Sequence, residues 1–247
     1  MLEKVEGIVI KTHDYSETHK IITIFSKKYG KITALARGAK KPRSRMAAVT
    51  QPFICGLFFI YLSKGLSTIQ QGEVVDSFRQ IREDIMKTAH AAYIVELTDK
   101  LLDKNDADVF IYKQLYQTLD WIAEKEESDI PIIMYELKLF KKGGFAPILD
   151  QCVRCGTKTG PYHFSVSEGG LLCHSCKQID ENAIFLPDAL SKSLYVFHHV
   201  GLERIGTISM KTESKKLLRR LMDAYYDQYG GFFLKSKKFL KQIDRLS

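Results

Sequence analysis

Four of the five cysteines stand in two pairs, Cys152-Val153-Arg154-Cys155 and Cys173-His174-Ser175-Cys176, separated by seventeen residues. Each C-x-x-C turn lets two thiolates converge on one ion, and two such turns complete a tetrahedron at about 2.3 Å per Zn–S bond. The spacing falls in the range of a four-thiolate zinc site. A closed shell of four sulfurs leaves no position for water or substrate, so the expected role is structural, with one Zn2+ per chain. Gly156 suits a tight turn after the first pair. Residues 162–166 and 169–172 between the pairs look like a small hairpin, a zinc-ribbon build. Reduced, metal-free cysteines are the alternative. His174 is a spare candidate ligand, and Cys55, inside an apolar run, reads as a small buried hydrophobe.

A second concentration of chemistry is Arg37-Gly38-Ala39-Lys40-Lys41-Pro42-Arg43-Ser44-Arg45, with five cations among nine residues and no acid. Gly38 and Pro42 keep it out of regular structure. A mobile cationic arm of this kind suits phosphates, because counterion release drives binding and flexibility tolerates any base sequence. A solvated loop with no partner is the alternative. Two further basic stretches, Lys211 to Arg220 and Lys235 to Lys241, read first as solvated helix faces. The aromatic cluster Tyr225, Tyr226, Tyr229, Phe232 and Phe233 reads first as core.

Other chemistries lack their residues. There is no phosphate-binding G-x-x-x-x-G-K-[ST], no G-x-G-x-x-G, no H-E-x-x-H and no G-x-S-x-G. The seven histidines form no ligand or triad spacing, so the chain does not read as an enzyme.

The elements that must hold these groups follow from periodicity. Residues 1–76 contain five runs rich in Ile, Val and Thr: Val5 to Thr12, Lys20 to Ser26, Lys31 to Arg37, Phe53 to Leu62 and Leu66 to Val75. Five short strands without an intervening amphipathic helix fit an oligonucleotide/oligosaccharide-binding (OB) barrel, with an SH3-like barrel as competitor. From residue 79 the period changes to three-and-four. Helices are expected over Arg79 to Leu102, after a cap at Asp106, from Asp129 to Gly143, from Pro187 to Val200, from Thr212 to Tyr226 and from Ser236 to Leu246. The fold class is thus α+β and multidomain. Residues 1–78 are expected to form an OB-fold domain for binding nucleic acid, and 79–247 an α-helical domain with a zinc-binding insert over 148–180.

The chain of 247 residues, 45% hydrophobic and 27% charged, is long enough to bury a core and too apolar for disorder to dominate. The net charge of +8 is segregated. Residues 1–80 carry +7, residues 81–151 carry −5 and residues 187–247 carry +6. Segregated charge points to defined faces and an anionic partner. No apolar run reaches bilayer length, and no secretory signal is evident at the N-terminus, so a cytoplasmic location is expected. An odd cysteine count there favours metal or isolated thiols over a disulfide framework.

Several stretches together resemble the RecO family of bacterial recombination mediators. They are Glu6-Gly7-Ile8-Val9-Ile10-Lys11, Tyr15-Ser16-Glu17, Lys20 to Phe25, and Tyr29-Gly30-Lys31 leading into the basic stretch. Phe78 to Asp84, Gly143-Gly144-Phe145-Ala146-Pro147 and Leu234 to Leu240 are also similar, so the likeness spans nearly the whole chain. The resemblance implies a DNA repair and recombination mediator that binds single- and double-stranded DNA and anneals complementary strands. It would work with RecR to help load RecA onto single strands coated by single-strand-binding protein, whose C-terminal tail it contacts. It implies no nucleotide hydrolysis and a cytoplasmic, nucleoid-associated location. The family's basic loop falls on Arg37, Lys40, Lys41, Arg43 and Arg45, and its zinc ligands on Cys152, Cys155, Cys173 and Cys176. A zinc-ribbon nucleic-acid-binding regulator and a zinc-stabilised nucleic-acid enzyme stand as alternatives.

Overall fold

The runs rich in β-branched residues pair into a closed barrel of β1 (Leu2–Tyr15), β2 (His19–Ser26), β3 (Gly30–Ala36), β4 (Cys55–Tyr61) and β5 (Ser67–Asp76). A short helix, α1 (Arg45–Val49), lies between β3 and β4. The strand order is β1-β2-β3-β5-β4, and β4 closes on β1. Every pairing is antiparallel except β3 with β5, where Ala34 faces Ser67 and Ala36 faces Ile69. This is an OB barrel, as the strand count led us to expect. Val9, Ile22, Ile24, Phe58, Ile60 and Ile69 fill its interior.

The computed structural model describes residues 1–104, 106–206 and 209–243. They form two compact units: residues 1–128 joined by the segment that begins at Leu234, and Asp129–Phe233.

In the first unit, Ile8 and Phe25 are as buried as the barrel interior although they alternate with it. Helices cover them. After α2 (Arg79–Glu83) come α3 (Ile85–Leu101), which packs on β1, and α4 (Val109–Glu124), whose Tyr112 ring lies 6.1 Å from that of Phe25. The single long helix expected over Arg79 to Leu102 is broken at Asp84. That residue is extended (φ −127°, ψ 129°), and its carboxylate accepts the Lys87 N–H at 2.9 Å, an N-cap that ends one helix and starts the next. Similarly Asp108, not Asp106, caps α4 by accepting the Ile111 N–H at 3.0 Å.

The second unit is built on α5 (Asp129–Lys142), buried along most of its length. A three-stranded sheet follows, β6 (Tyr162–Ser165), β7 (Gly170–Cys173) and β8 (Ile184–Leu186), in the order β7-β6-β8. The hairpin was expected; β8 was not, its three residues being too short to show a period. Next come α6 (Asp188–His199) and α7 (Thr212–Tyr229), both packed on α5. Lys138 of α5 donates to the carbonyls of Phe197 and His198 at 2.6 Å each, which satisfies the C-terminus of α6. Burial lowers this ammonium from its ordinary 10.5 to about 8. Arg219 of α7 pairs with Glu136 of α5, a carboxylate with no solvent exposure.

The last described helix, α8 (Lys235–Ile243), belongs to the first unit and packs on α3. Glu96 of α3 accepts the N–H groups of Lys235 at 3.2 Å and Ser236 at 2.8 Å, so a carboxylate from another helix caps α8. The expected continuation of this helix to Leu246 lies outside the described residues. Among the described residues no helix is long and apolar enough to cross a membrane.

Candidate nucleic-acid interface and metal centre

The basic stretch leaves the end of β3 as a series of turns. Lys41 N–H donates to the Gly38 carbonyl at 3.0 Å, and Ser44 N–H to that of Lys41 at 3.2 Å. Gly38 takes φ 68°, where an L side chain is strained, so the first turn depends on glycine there. Ala39 is 2% exposed and joins the barrel core, as does Val49 of α1 with Met46 packed beside it. The stretch is therefore anchored in the barrel by Ala39 within it and by α1 just after it.

Three ties bind it to the end of the β1–β2 hairpin. His19 Nδ1 accepts the Gly38 N–H at 3.0 Å, the Thr18 carbonyl accepts the Lys40 N–H at 3.0 Å, and the Lys40 ammonium lies 2.8 Å from the Asp14 carboxylate. The Lys40 hydrogen bond holds the Asp14 carboxyl below its ordinary range. The mobile arm expected from composition is instead a tethered one, because a short apolar side chain and two backbone bonds anchor it. Sequence reasoning passed over Asp14, Thr18 and His19. Their only sequence signal was a polar turn between two strands.

All five cations, Arg37, Lys40, Lys41, Arg43 and Arg45, are exposed. Among the described residues only Lys40 of the five forms an ion pair. Four positive charges thus stand uncompensated on one connection of a small barrel, and such a patch attracts polyanions by counterion release without base specificity.

Most of the C-terminal cations lie on the solvated faces expected of them, and three do not. Lys215 and Lys237 are buried, and Arg219 is held by Glu136 and Asp223, whereas Lys211, Lys216, Arg220, Lys235, Lys238 and Lys241 are exposed. Of the aromatic cluster, Tyr225 and Tyr226 are core, and Tyr229 donates to the carbonyls of Val166 and Ser167 at 2.9 and 2.8 Å. Phe232 and Phe233 are exposed. Cys55 is buried with its sulfur 3.6 Å from the Tyr112 hydroxyl, and burial pushes its thiol up to about 11, so it is unreactive.

The four paired cysteines converge. Their sulfurs all lie within 4.8 Å of one another, and those of Cys155 and Cys173 are 3.7 Å apart. A tetrahedron with 2.3 Å bonds has an edge of about 3.8 Å, so the set fits a single metal ion. The first turn is closed by Cys152 N–H to the Thr157 carbonyl at 2.8 Å and Gly156 N–H to the Cys152 carbonyl at 2.9 Å; the second by Cys176 N–H to the Cys173 carbonyl at 3.0 Å. The halves meet where Gly170 pairs with Ile148. A Cβ on Gly170 would stand 2.3 Å from the Ile148 carbonyl oxygen, so only glycine allows that approach. Thr157 Oγ1, 3.2 Å from Cys155 Sγ, lowers that thiol to about 6 and favours the thiolate a metal needs.

Residues 1–78 match the family model described as Recombination protein O N terminal, and residues 82–238 the one described as Recombination protein O C terminal. The chain is 62% identical over 244 residues to the DNA repair protein RecO of Oceanobacillus iheyensis, an alignment covering 99% of this chain and 95% of that protein. It is 43% identical over 246 residues to that of Bacillus pumilus, covering 100% and 96%, and 44% identical over 245 residues to that of Bacillus cereus strain AH187, covering 99% of each.

Proposed function

The chain belongs to the RecO family of DNA repair proteins, and on that premise we propose that it is a recombination mediator that grips DNA by the tethered arm of its barrel. Residues 1–78 act as the DNA-binding domain, and 79–247 as the helical domain that carries the zinc module over 148–180. Arg37, Lys40, Lys41, Arg43 and Arg45 neutralise the phosphates of single- or double-stranded DNA. The observation that carries this reading is the set of four exposed, uncompensated cations on an OB barrel.

The mechanism is positional. Two complementary strands repel each other through their phosphates. Cations held beside both lower that repulsion and let bases pair, with no bond made or broken, so the protein acts as a mediator rather than an enzyme. Acting with RecR, it helps place RecA on single strands coated by single-strand-binding protein, and contact with that protein's C-terminal tail directs it there. Its site of action is the cytoplasm, on the nucleoid.

The four thiolates hold one Zn2+, which supplies a structural crosslink between the two cysteine turns. Softness of the donor set favours zinc over oxygen-loving cations.

The test is strand annealing with pure protein, with and without single-strand-binding protein and RecR. Faster annealing of coated complementary strands is expected. Strand scission or ATP turnover in magnesium and ATP would instead favour a nucleic-acid enzyme.

A further inference from the structure

The four sulfurs of the metal centre are not equally reachable. Cys152 and Cys173 are 1% and 7% exposed, Cys176 is half-buried, and Cys155 is exposed. Cys173 ends β7 and faces Tyr162 across the sheet, while Cys155 stands in a turn. A closed shell has no position for a further ligand, yet one of its sulfurs is open to small solutes.

The two cysteine turns are also joined without a metal. Val153 N–H donates to the Leu171 carbonyl at 2.8 Å, Ile148 N–H to that of Gly169 at 3.0 Å, and Leu171 N–H to that of Ile148 at 3.0 Å. These bonds tie the first turn to β7, the strand that ends in Cys173. They hold the exposed sulfur of Cys155 beside the buried one of Cys173, 3.7 Å away. An attack on the first sulfur therefore finds a second nucleophile already in place.

We propose that Cys155 is a site of reversible oxidation by hydrogen peroxide, and that Cys173 resolves it into a disulfide across the two turns, with release of the zinc. The inference rests on the reading of the four thiolates as a zinc site. In the first step the Cys155 thiolate attacks one peroxide oxygen. An S–O bond forms, the O–O bond breaks, and the departing hydroxide takes a proton and leaves as water. In the second step the Cys173 thiolate attacks the oxidised sulfur. An S–S bond forms, the S–O bond breaks, and a second hydroxide leaves as water. The two thiolates lose two electrons in all, and the peroxide gains them. Two of the four donors are then spent, and the tetrahedral set no longer exists. The new bond spans the same two turns, so they stay joined, and a thiol reductant with zinc restores the centre. A disulfide within one C-x-x-C turn would leave the turns uncrosslinked.

The full chain, purified without chelator, is treated with hydrogen peroxide while a chromogenic chelator reports free zinc. Zinc release should accompany loss of two of the five thiols, and dithiothreitol with zinc should reverse both. Trypsin cuts after Arg154 and Lys158, which separates Cys155 from Cys152. Mass spectrometry without reduction should find the Cys155 peptide joined to Cys173. A link from Cys155 to Cys152 or to Cys176 overturns the proposal. Cys155→His keeps a shell of three sulfurs and one imidazole, which holds structural zinc, but lacks the exposed sulfur. It should release zinc at least about tenfold more slowly than the parent, because the reachable thiolate is gone. Release at the parent's rate overturns the proposal. Should Cys155→His bind no metal, the disulfide map of the parent decides alone. A parent chain without zinc refutes the metal reading itself; zinc that is present and survives peroxide removes only the oxidation site.

Discussion

The imidazole Nδ1 of His19 accepts the backbone N–H of Gly38 at 3.0 Å, so a side chain on β2 fixes the point where the basic arm leaves β3. Replacing it changes no charge on the arm but releases its base. His19→Ala is expected to weaken single-strand binding by up to about tenfold, the worth of one partly buried hydrogen bond. The salt slope should stay unaltered, because the number of phosphates met is the same. Anisotropy at two salt concentrations checks both parts, and a flattened slope would contradict them.

Neutralising Arg37, Lys40, Lys41, Arg43 and Arg45 together should do the opposite. With about 0.7 counterions released per phosphate met, the four unpaired cations alone carry roughly 3 units of slope. Lys40 adds less, because it must first leave Asp14. A slope equal to that of the parent protein takes the arm out of the DNA site.

Cys152→Ser removes one of four converging sulfurs. Metal analysis of protein purified without chelator should fall from one zinc per chain towards none, and the helical unit should melt at least ~5 °C lower. Cys55→Ser, far from the cluster in sequence and buried against Tyr112, should keep its zinc. Parent protein without metal would refute the assignment.

Lys138 makes the stability of the second unit depend on pH. Its ammonium is held near 8 by burial, below the 10.5 it has when unfolded. Between those values the unfolded chain keeps a proton that the folded chain has released, so stability rises as pH climbs from 8 to 10.5. The gain is at most about 3 to 4 kcal/mol, at roughly 1.4 kcal/mol per unit. Denaturant unfolding of the parent and of Lys138→Met at both ends of the window isolates it: the variant should lack this increment.

Most of the frame was legible in the chain. The strand runs were rich in Ile, Val and Thr, the cysteine spacing fell in the range of a four-thiolate metal site, and Gly38 and Pro42 marked a break in structure amid cations. Misreadings came where one residue decided the outcome. Asp84 interrupts a helical period that runs unbroken through it, because its carboxylate satisfies the Lys87 N–H better than another turn would. Asp108 rather than Asp106 caps α4, although both are aspartates in the same polar segment.

Local pattern determined the barrel strands, the cysteine turns and the position of the cations, since each depends on neighbours within a few residues. Only tertiary structure decided which charges are free. Lys40 meets Asp14 and Lys31 meets Asp99, while Lys41, Lys64 and Lys104 meet no acid among the described residues. Lys215 and Lys237 lie buried on helices that read as solvated, and Glu96 caps a helix 140 residues away. Periodicity carries no record of such pairings, because a charge is compensated by whatever the fold brings within a few ångströms, however distant along the chain.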